Sequence, residues 1–315
     1  MPKKYGTAKW GKTMLSLSQY ALIAGLMLVV LSVICYITAL MLGRSVRSEP
    51  VMVRAGARAN GGGVVTAVAP PPPVASGQRR SMALYGTYCT RLSWFFLTAC
   101  LVLRTISTGH GPFTNQYEFA VSFAWGMIAA YVYFEHRYHV RTIALLVLPI
   151  AAGMLLYALS VGATADPLVP ALQNNLLLTI HVAVAIVAYG AFSVSFAAAV
   201  LYLTQPDEGR PGWPKPALLD EMGYRAVIIG FPLLTMTVVL GAVWAEIAWG
   251  SYWSWDPKET ASLLTWLIYG AYLHARVARG WVGRRAAWLL IAGFASVLLT
   301  FFGNLFFGGL HSYAK

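Results

Sequence analysis

A loop near residue 250 places aromatic rings beside an acid–base cluster. Three tryptophans fall within seven residues, and the sequence Asp-Pro-Lys-Glu follows at once. Indole faces suit a flat, apolar ring system, while indole N–H groups and a lysine suit its anionic substituents. An aromatic belt at a membrane surface is the alternative, because Trp and Tyr collect there, but the density of rings around charged residues favours a binding site. The candidate binding residues are Trp249, Gly250, Trp253, Trp255, Asp256, Lys258 and Glu259.

Two histidines are expected beside this loop. His181 opens the fifth apolar segment of the chain, and His311 lies in the tail just beyond the eighth. Neutral imidazoles hold a haem iron axially, and an aromatic wall covers the porphyrin. The pair therefore predicts a bis-histidine site for b-type haem on the face that carries the loop. A helix-end or interfacial polar role is the alternative for each histidine taken alone.

A third histidine, His274, is expected at the opposite end of the seventh segment. About fourteen helical residues separate it from Thr260, which corresponds to roughly 21 Å along a helix axis. It therefore cannot belong to the site near the loop. An ionisable group at membrane depth is a functional candidate by default, and a histidine that reaches the interface beside Arg276 is the alternative.

Two further polar clusters are expected to have structural roles. A loop near residue 112 leads into the third segment, where Asn115 or Thr114 would cap the helix. The helix dipole would favour the negative charge of Glu118 in the first turn. A basic turn holds Glu135 four residues before His139, a spacing that metal sites use. A solvated turn flanking the membrane is favoured there, because no further ligands are in view.

These residues lie on or between long apolar segments. The chain is 58% hydrophobic and 11% charged, far outside the range of soluble proteins. Only helices or closed barrels cross lipid, and the apolar runs are near the roughly 20 residues that a helix needs. We therefore predict an all-α polytopic membrane protein with about eight transmembrane helices. The predicted segments cover residues 16–42, 84–106, 117–134, 142–161, 176–203, 225–247, 261–276 and 286–303.

The basic residues behind the net charge of +12 are concentrated in particular loops, which argues against a nucleic-acid partner. Arginine and lysine collect in alternate connections, whereas the loops at 107–116 and 162–175 contain neither. This is the positive-inside pattern, and it places the loop near residue 252 and the C-terminal tail outside. The orientation of the first segment stays open. Eight spans put the N-terminus outside, while Lys9 and Lys12 argue for the inside.

The chain divides into two parts at about residue 80. Residues 1–80 contain the first transmembrane segment and most of a linker at 43–81, whose Pro- and Gly-rich composition predicts disorder. Residues 81–315 are expected to form one haem-handling membrane domain with an external loop at 248–262. The cysteines lie in apolar segments without a Cys-x-x-Cys spacing, which predicts small apolar filler and no redox pair.

From Ser81 to Tyr313 the chain resembles the CcsA/ResC cytochrome c biogenesis proteins of system II, called CcsB in some bacteria, within the haem-handling superfamily. The resemblance rests on the WWD signature Trp-Gly-x-Tyr-Trp-x-Trp-Asp-Pro-Lys-Glu-Thr at 249–260. It also rests on a Gly-His loop at 109–118, on the three histidines above and on the closing Gly-Leu-His-Ser-Tyr. Ala261 departs from the family, which often has a further Trp there.

The resemblance implies that His181 and His311 are the external axial ligands of haem. It implies that the WWD loop (residues 248–262) holds this haem for attachment to apocytochrome c, and that His274 belongs to an inner site where haem is loaded. Family members form haem lyase complexes with a ResB-type membrane subunit, often with a thioredoxin-like protein that reduces the apocytochrome. The chain is accordingly expected in a bacterial plasma membrane, with the attachment site on the outer face.

Three other functions remain as alternatives. A system I haem-handling protein is the alternative within the superfamily, although the chain is short for its large ligase subunit. A b-type membrane electron carrier would need histidine pairs within helices on both sides, and a solute transporter would predict discontinuous helices. Haem transport and presentation to a Cys-x-x-Cys-His motif is the favoured function.

Overall fold

The fold is a bundle of eight helices. The computed structural model describes residues 4–45, 73–163, 172 and 175–311. Within these residues no strand is present, and a helix occupies each of the eight predicted segments, which confirms the all-α fold. The helices are α1 (Lys4–Ser45), α2 (Pro73–Thr108), α3 (Gln116–Tyr138), α4 (Ala144–Val161), α5 (Asn175–Leu203), α6 (Pro216–Trp249), α7 (Pro257–Arg279) and α8 (Arg284–Phe306).

Six of these helices are long and apolar enough to cross a membrane, which confirms a polytopic membrane protein. Helices α3 and α7 fall short because Tyr, Trp, Ser and Thr interrupt their apolar stretches. Both nevertheless pack within the bundle, α3 against α2, α4 and α5, and α7 against α6 and α8. The apolar spans are Gly11–Leu42, Gly77–Thr108, Ala144–Val161, Leu176–Leu203, Pro216–Trp249 and Arg284–Gly303.

Helices α3 and α5 cross in direct backbone contact. A Cβ at Gly190 would clash with the carbonyl oxygen of Gly126, and a Cβ at Gly126 would lie 2.5 Å from Cγ2 of Ile186. Small residues permit this close approach, as they do at many helix interfaces in membranes. Phe119 of α3 and His181 of α5 thereby line a common cavity at one end of the bundle.

Helices α1 and α2 run antiparallel and are joined by hydrogen bonds from side chains to backbone. Ser107 Oγ donates to the carbonyl oxygen of Gly11 over 3.0 Å. Ser32 Oγ, further along α1, donates to the carbonyl oxygen of Gly86 over 2.8 Å. Positions therefore rise along α1 as they fall along α2. The first helix begins at the end of the bundle that holds the loop between α2 and α3, as eight crossings require.

The buried carboxylate of Glu135 shows that the expectation of a solvated turn at the end of α3 was wrong for this residue. Glu135 is 5% exposed and accepts hydrogen bonds from Thr87 Oγ1 at 2.5 Å and from Tyr36 OH at 3.4 Å. Arg141 Nε pairs with the same carboxylate over 3.1 Å. A buried charge needs such partners, and here they tie together α1, α2 and α3. His139 is exposed, as expected.

The linker prediction is addressed only at its C-terminal end. Helix α2 begins at Pro73, so residues 73–81 of the predicted linker are helical. Proline is well suited to the first turn of a helix, where its missing N–H has no helical partner. The predicted disorder at residues 46–72 lies outside the described residues.

Candidate functional site

A cavity opens at the end of the bundle where α3, α5 and α7 begin and where α6 and α8 end. It is partly open to solvent, and the empty space within it amounts to about 1270 Å³ when the open part is counted. Five of the predicted site residues line it, and they come from three separate parts of the chain. They are His181, Trp253, Lys258, Glu259 and His311.

The imidazole of His181 is oriented by α6. Its Nδ1 lies 2.9 Å from the carbonyl oxygen of Thr237. A carbonyl only accepts, so Nδ1 carries the proton and Nε2 keeps its lone pair. The ring also packs against Gly241, where a Cβ would lie only 2.8 Å from Cε1 of His181. Thr237 and Gly241 together fix both the tautomer and the position of the ring.

The imidazole of His311 is oriented by the WWD loop. Its Nδ1 lies 2.8 Å from Oδ1 of Asp256, a nearly buried carboxylate. Burial alone would raise the pKa of Asp256, but the hydrogen bond from His311 and the backbone N–H groups of Lys258 and Leu310 lower it to about 2. Burial lowers the pKa of His311. At neutral pH the imidazole is therefore neutral and donates Nδ1–H to a carboxylate.

Two indole rings hold His311 from the side. The ring centroid of Trp249 lies 4.8 Å from that of His311 in an edge-to-face arrangement, and the centroid of Trp244 lies 5.8 Å away. Trp244 is 2% exposed, and its Nε1 has no hydrogen-bond acceptor among the residues that the structure describes. The wall of the cavity therefore contains a buried donor directed at no described protein acceptor.

The donor set fits a haem iron. Imidazoles that bind metals usually donate their second N–H to a carboxylate or a backbone carbonyl, which fixes the tautomer and strengthens the ligand. His181 has the carbonyl partner and His311 has the carboxylate partner. Each imidazole keeps a lone pair on Nε2, and both residues line the same cavity. Neutral imidazoles of this tautomer are the form in which histidine binds a haem iron.

The WWD loop is built by helix-capping chemistry. Gly250 ends α6 in the left-handed conformation with φ 74°, and Asp256 is the N-cap of α7. Oδ1 of Asp256 accepts from the backbone N–H of Lys258 at 2.9 Å. Oε2 of Glu259 accepts from the backbone N–H of Ser254 at 2.9 Å and from that of Asp256 at 3.2 Å. These bonds form a capping box, so the two acids shape the loop.

Lys258 differs from its acidic neighbours because its charged end packs on an aromatic ring and does not bond the backbone of the loop. Its Nζ lies 4.5 Å from the ring centroid of Phe119, a cation–π contact. The residue lies outside the apolar stretch at 261–276, and burial lowers its pKa to about 8, with Asp256 acting in the opposite direction. The side chain is half-buried by surface area. At neutral pH the ammonium form predominates.

Four predicted residues of the loop do not line the cavity. Trp249 and Asp256 contact His311, which does line it, whereas Trp255 and Gly250 have other surroundings. Trp255 is 70% exposed and packs against Trp253 in an edge-to-face arrangement, with ring centroids 5.8 Å apart. Its backbone has a positive φ of 58°, uncommon for a residue with a side chain. Gly250 has open space where a Cβ would stand, and its role is the turn after α6. Trp255 has the exposure expected of an interfacial aromatic residue.

His274 lies far from the cavity, as its spacing predicts. Helix α7 is continuous from Pro257 to Arg279, which keeps His274 roughly 21 Å from Thr260 along the axis. The side chain is exposed on the surface of the bundle and makes no hydrogen bond to the described residues. Its neighbour Arg276 pairs instead with Asp220, Nη2 to Oδ2 at 2.6 Å.

The loop between α2 and α3 forms a wall of the cavity that the sequence reading left to a structural role. Asn115 caps α3 by accepting from the backbone N–H of Glu118 at 2.8 Å, which confirms the expected cap. Glu118 does more than favour the helix dipole, because it pairs with buried Arg104 at 2.5 Å. Its Oε2 accepts from both the backbone N–H and the hydroxyl of Thr114. The buried pair thus holds the wall in place.

Sequence reasoning also missed Thr237, Gly241 and Trp244 of α6. They lie in the long apolar stretch of α6, and 56 residues separate Thr237 from its partner His181. A glycine and a tryptophan in such a helix carry no local mark of a binding site. The sole available signal was that Trp244 precedes the WWD loop by little more than a helical turn.

Comparisons with known proteins identify similar chains. A family model described as cytochrome c assembly protein matches residues 113–311. The cytochrome c biogenesis protein CcsA of Gloeobacter violaceus is 36% identical over 304 residues, covering 76% of this chain and 90% of that protein. The protein of the same name from Guillardia theta is 37% identical over 257 residues, covering 73% of this chain and 84% of that protein.

A solved structure shares the fold. The cytochrome c heme lyase CcmF superposes with a TM-score of 0.58 and 18% identity, over 92% of this chain and 46% of that one. At this identity the likeness concerns the fold alone. The range matched by the family model begins at Phe113 and ends at His311, the first and last residues that line the cavity.

Proposed function

Because the chain belongs to the cytochrome c assembly protein family, we propose that it carries haem across the membrane and presents it for covalent attachment to apocytochrome c. The observation that carries this proposal is the pair of imidazoles in one cavity, each with Nδ1 held by a protein acceptor. Haem of the b type is the cargo, and the chain acts as a subunit of a haem lyase complex.

His181 and His311 are the proposed axial ligands of this haem. Two imidazoles occupy both faces of the iron and favour a low-spin state, which limits oxygen chemistry while the vinyl groups await thiols. The histidine of an incoming Cys-x-x-Cys-His motif would then replace one of them. Attachment adds each S–H across a vinyl C=C bond, so a C–S bond and a C–H bond form. The contribution of the protein is orientation and proximity.

The WWD loop supplies the remaining contacts. Trp249 packs on the ring of His311, and Trp253 lines the cavity, where its indole suits a porphyrin face. Asp256 orients His311. Trp255 is exposed at the rim, where it suits the membrane interface or the arriving client.

An inner haem site around His274 is the second part of the proposal. The exposed face of α7 carries Leu264, Leu267, Ala271 and His274 at spacings of three and four residues. Such a stripe suits packing against another transmembrane helix. A ResB-type subunit would contribute that helix and the second axial ligand. Haem would be loaded there before it reaches the cavity at the other end of the bundle.

The sidedness of the site follows from charge. Loops rich in Lys and Arg stay inside, and those without them lie outside. This pattern supports our proposal that the cavity faces outward from a bacterial plasma membrane. The three cysteines are free and none of them lines the cavity. Reduced thiols on the client would therefore come from elsewhere, for which a thioredoxin-like reductant is suited.

The proposal is tested by purifying the chain with and without a ResB-type subunit and recording absorption spectra. We expect a b-type, low-spin haem spectrum in the complex, and loss of that haem to a supplied reduced apocytochrome c. A haem that stays bound through many rounds of reduction and oxidation, without transfer to the client, would favour a membrane electron carrier. Absence of haem from the complex would contradict the proposal.

A further inference from the structure

The three charged side chains of the Asp-Pro-Lys-Glu sequence make three different kinds of contact. The carboxylate of Asp256 accepts from His311 and from the N-terminus of α7. The carboxylate of Glu259 accepts from the backbone of the WWD loop. The ammonium of Lys258 is held by neither the loop nor the helix N-terminus, and its Nζ lies over the ring of Phe119 in the cavity wall.

No carboxylate of the described residues forms an ion pair with Lys258. The other charged side chain in the wall is Glu259, whose oxygens are engaged by backbone and hydroxyl donors of the loop. A half-buried ammonium attracts an anion more strongly than a solvated one does, because less water screens the charge. The chemistry of this part of the cavity is therefore suited to an anion.

We propose that Lys258 binds a propionate carboxylate of haem and thereby sets the rotation of the porphyrin in the cavity. This inference rests on the proposed function. Haem carries its two propionates on one edge and its two vinyl groups on the half of the ring away from them. An ammonium that holds a propionate directs the vinyl-bearing half away from Lys258. Lys258 is then a binding and orienting residue, separate from the iron ligands.

The test compares haem with haem dimethyl ester, which keeps the iron, the ring and the vinyl groups but has no carboxylate. The full chain, purified with its membrane partner, is titrated with each porphyrin. Only the part of the Soret absorbance change that disappears in His181→Ala is used to determine the affinity. We expect wild-type protein to prefer haem by about tenfold, since a charge-assisted contact of about 1.4 kcal/mol corresponds to that ratio.

Three variants sharpen this comparison. Lys258→Gln keeps most of the side-chain length without the charge, and it should bind the two porphyrins with nearly equal affinity. Lys258→Arg keeps the charge and should keep the preference. Lys215→Gln removes a charge from an exposed residue at the other end of α6 and should behave as wild type. Each result is a ratio of affinities, so partition of the ester into detergent cancels between variants.

The outcomes separate this inference from the proposed function. Wild-type protein that binds both porphyrins equally through His181 would overturn the role of Lys258 and leave the haem site standing. A preference that survives in Lys258→Gln would overturn it as well. Wild-type protein that binds neither porphyrin through His181 would overturn both proposals. If Lys258→Gln fails to assemble, Lys258→Met, which also keeps most of the side-chain length without the charge, takes its place in the comparison.

Discussion

Nδ1 of His311 lies 2.8 Å from Oδ1 of Asp256, so the C-terminal tail is joined to the N-cap of α7. The tail can come this close because position 309 is a glycine, where any Cβ would collide with the Asp256 carboxylate. One carboxylate thus serves two purposes: it caps a helix and it orients a proposed iron ligand. Loop shape and ligand geometry are coupled through this contact.

The proposed iron ligands lead to the first prediction. His181→Ala and His311→Ala should each lose haem or its low-spin spectrum, because a single imidazole leaves the iron five-coordinate. Absorption spectra of the purified complexes measure this, and added imidazole should restore part of the signal by entering the space left by the side chain. Wild-type spectra in both variants would refute the axial assignment.

The Asp256 carboxylate is the subject of the second prediction. Asp256→Asn retains a good N-cap residue but removes the negative charge beside His311. Loss of such a partner lowers metal affinity by about 10–100-fold, so haem occupancy should fall. The reduction potential of any remaining haem should rise, because the imidazole becomes a weaker donor.

Glu259→Gln is the matched control for this variant, since it also removes one acid of the capping box but leaves the contact to His311 intact. Because Glu259 also lines the cavity, loss of its charge should raise the potential, but by less than Asp256→Asn does, since the imidazole itself is unchanged. Equal shifts of potential in the two variants would show that loop stability, and not the contact with His311, controls the haem.

Gly241 supports a third prediction. In Gly241→Ala the new methyl group would lie 2.8 Å from Cε1 of His181, and relieving such overpacking costs about 1–3 kcal/mol. We expect His181 to be displaced from the iron, with loss of the low-spin spectrum while the protein remains in the membrane. Gly153→Ala is the control, because no atom lies within 4 Å of its Cβ. A normal spectrum in Gly241→Ala would contradict the observed packing.

The fourth prediction is that substitutions of Trp253 and Trp255 in the WWD loop have different effects on cytochrome c maturation. Trp253 lines the cavity, whereas Trp255 is 70% exposed. Trp253→Ala should therefore reduce cytochrome c maturation strongly at normal protein abundance, and Trp255→Ala should reduce it less. Maturation is measured by haem staining of the client. If both variants lower only the abundance of the protein, the loop is an aromatic membrane belt and not a haem platform.

The fifth prediction concerns His274. His274→Ala should lower haem occupancy of the outer cavity as well, because loading at the inner site precedes it in the proposed sequence. Haem content of the purified complex is the measurement. His136→Ala is a suitable control, since this histidine is also exposed near the inner end of the bundle. Normal haem content in His274→Ala would show that haem reaches the cavity by another path.

The sequence by itself determined the helical architecture. Each of the eight segments was predictable because a helix is the form in which a long apolar run satisfies its own backbone hydrogen bonds in lipid. This depends on local composition alone. The Asn115 cap was likewise predictable, since a cap bonds a residue only three positions away. The WWD signature and the closing histidine were sufficient for the family resemblance, because a motif of this kind is contiguous in sequence.

Only the tertiary structure decided what these residues touch. His181 meets Thr237 across 56 residues, and His311 meets Asp256 across 55. Sequence reasoning left Asp256, Lys258 and Glu259 as one undivided cluster, because neighbours in sequence point in different directions once a helix begins. The pairing of helices depends on close contacts such as the one at Gly241, which no local pattern reveals. The partner brought to each imidazole by this packing determines which nitrogen carries the proton and which keeps its lone pair.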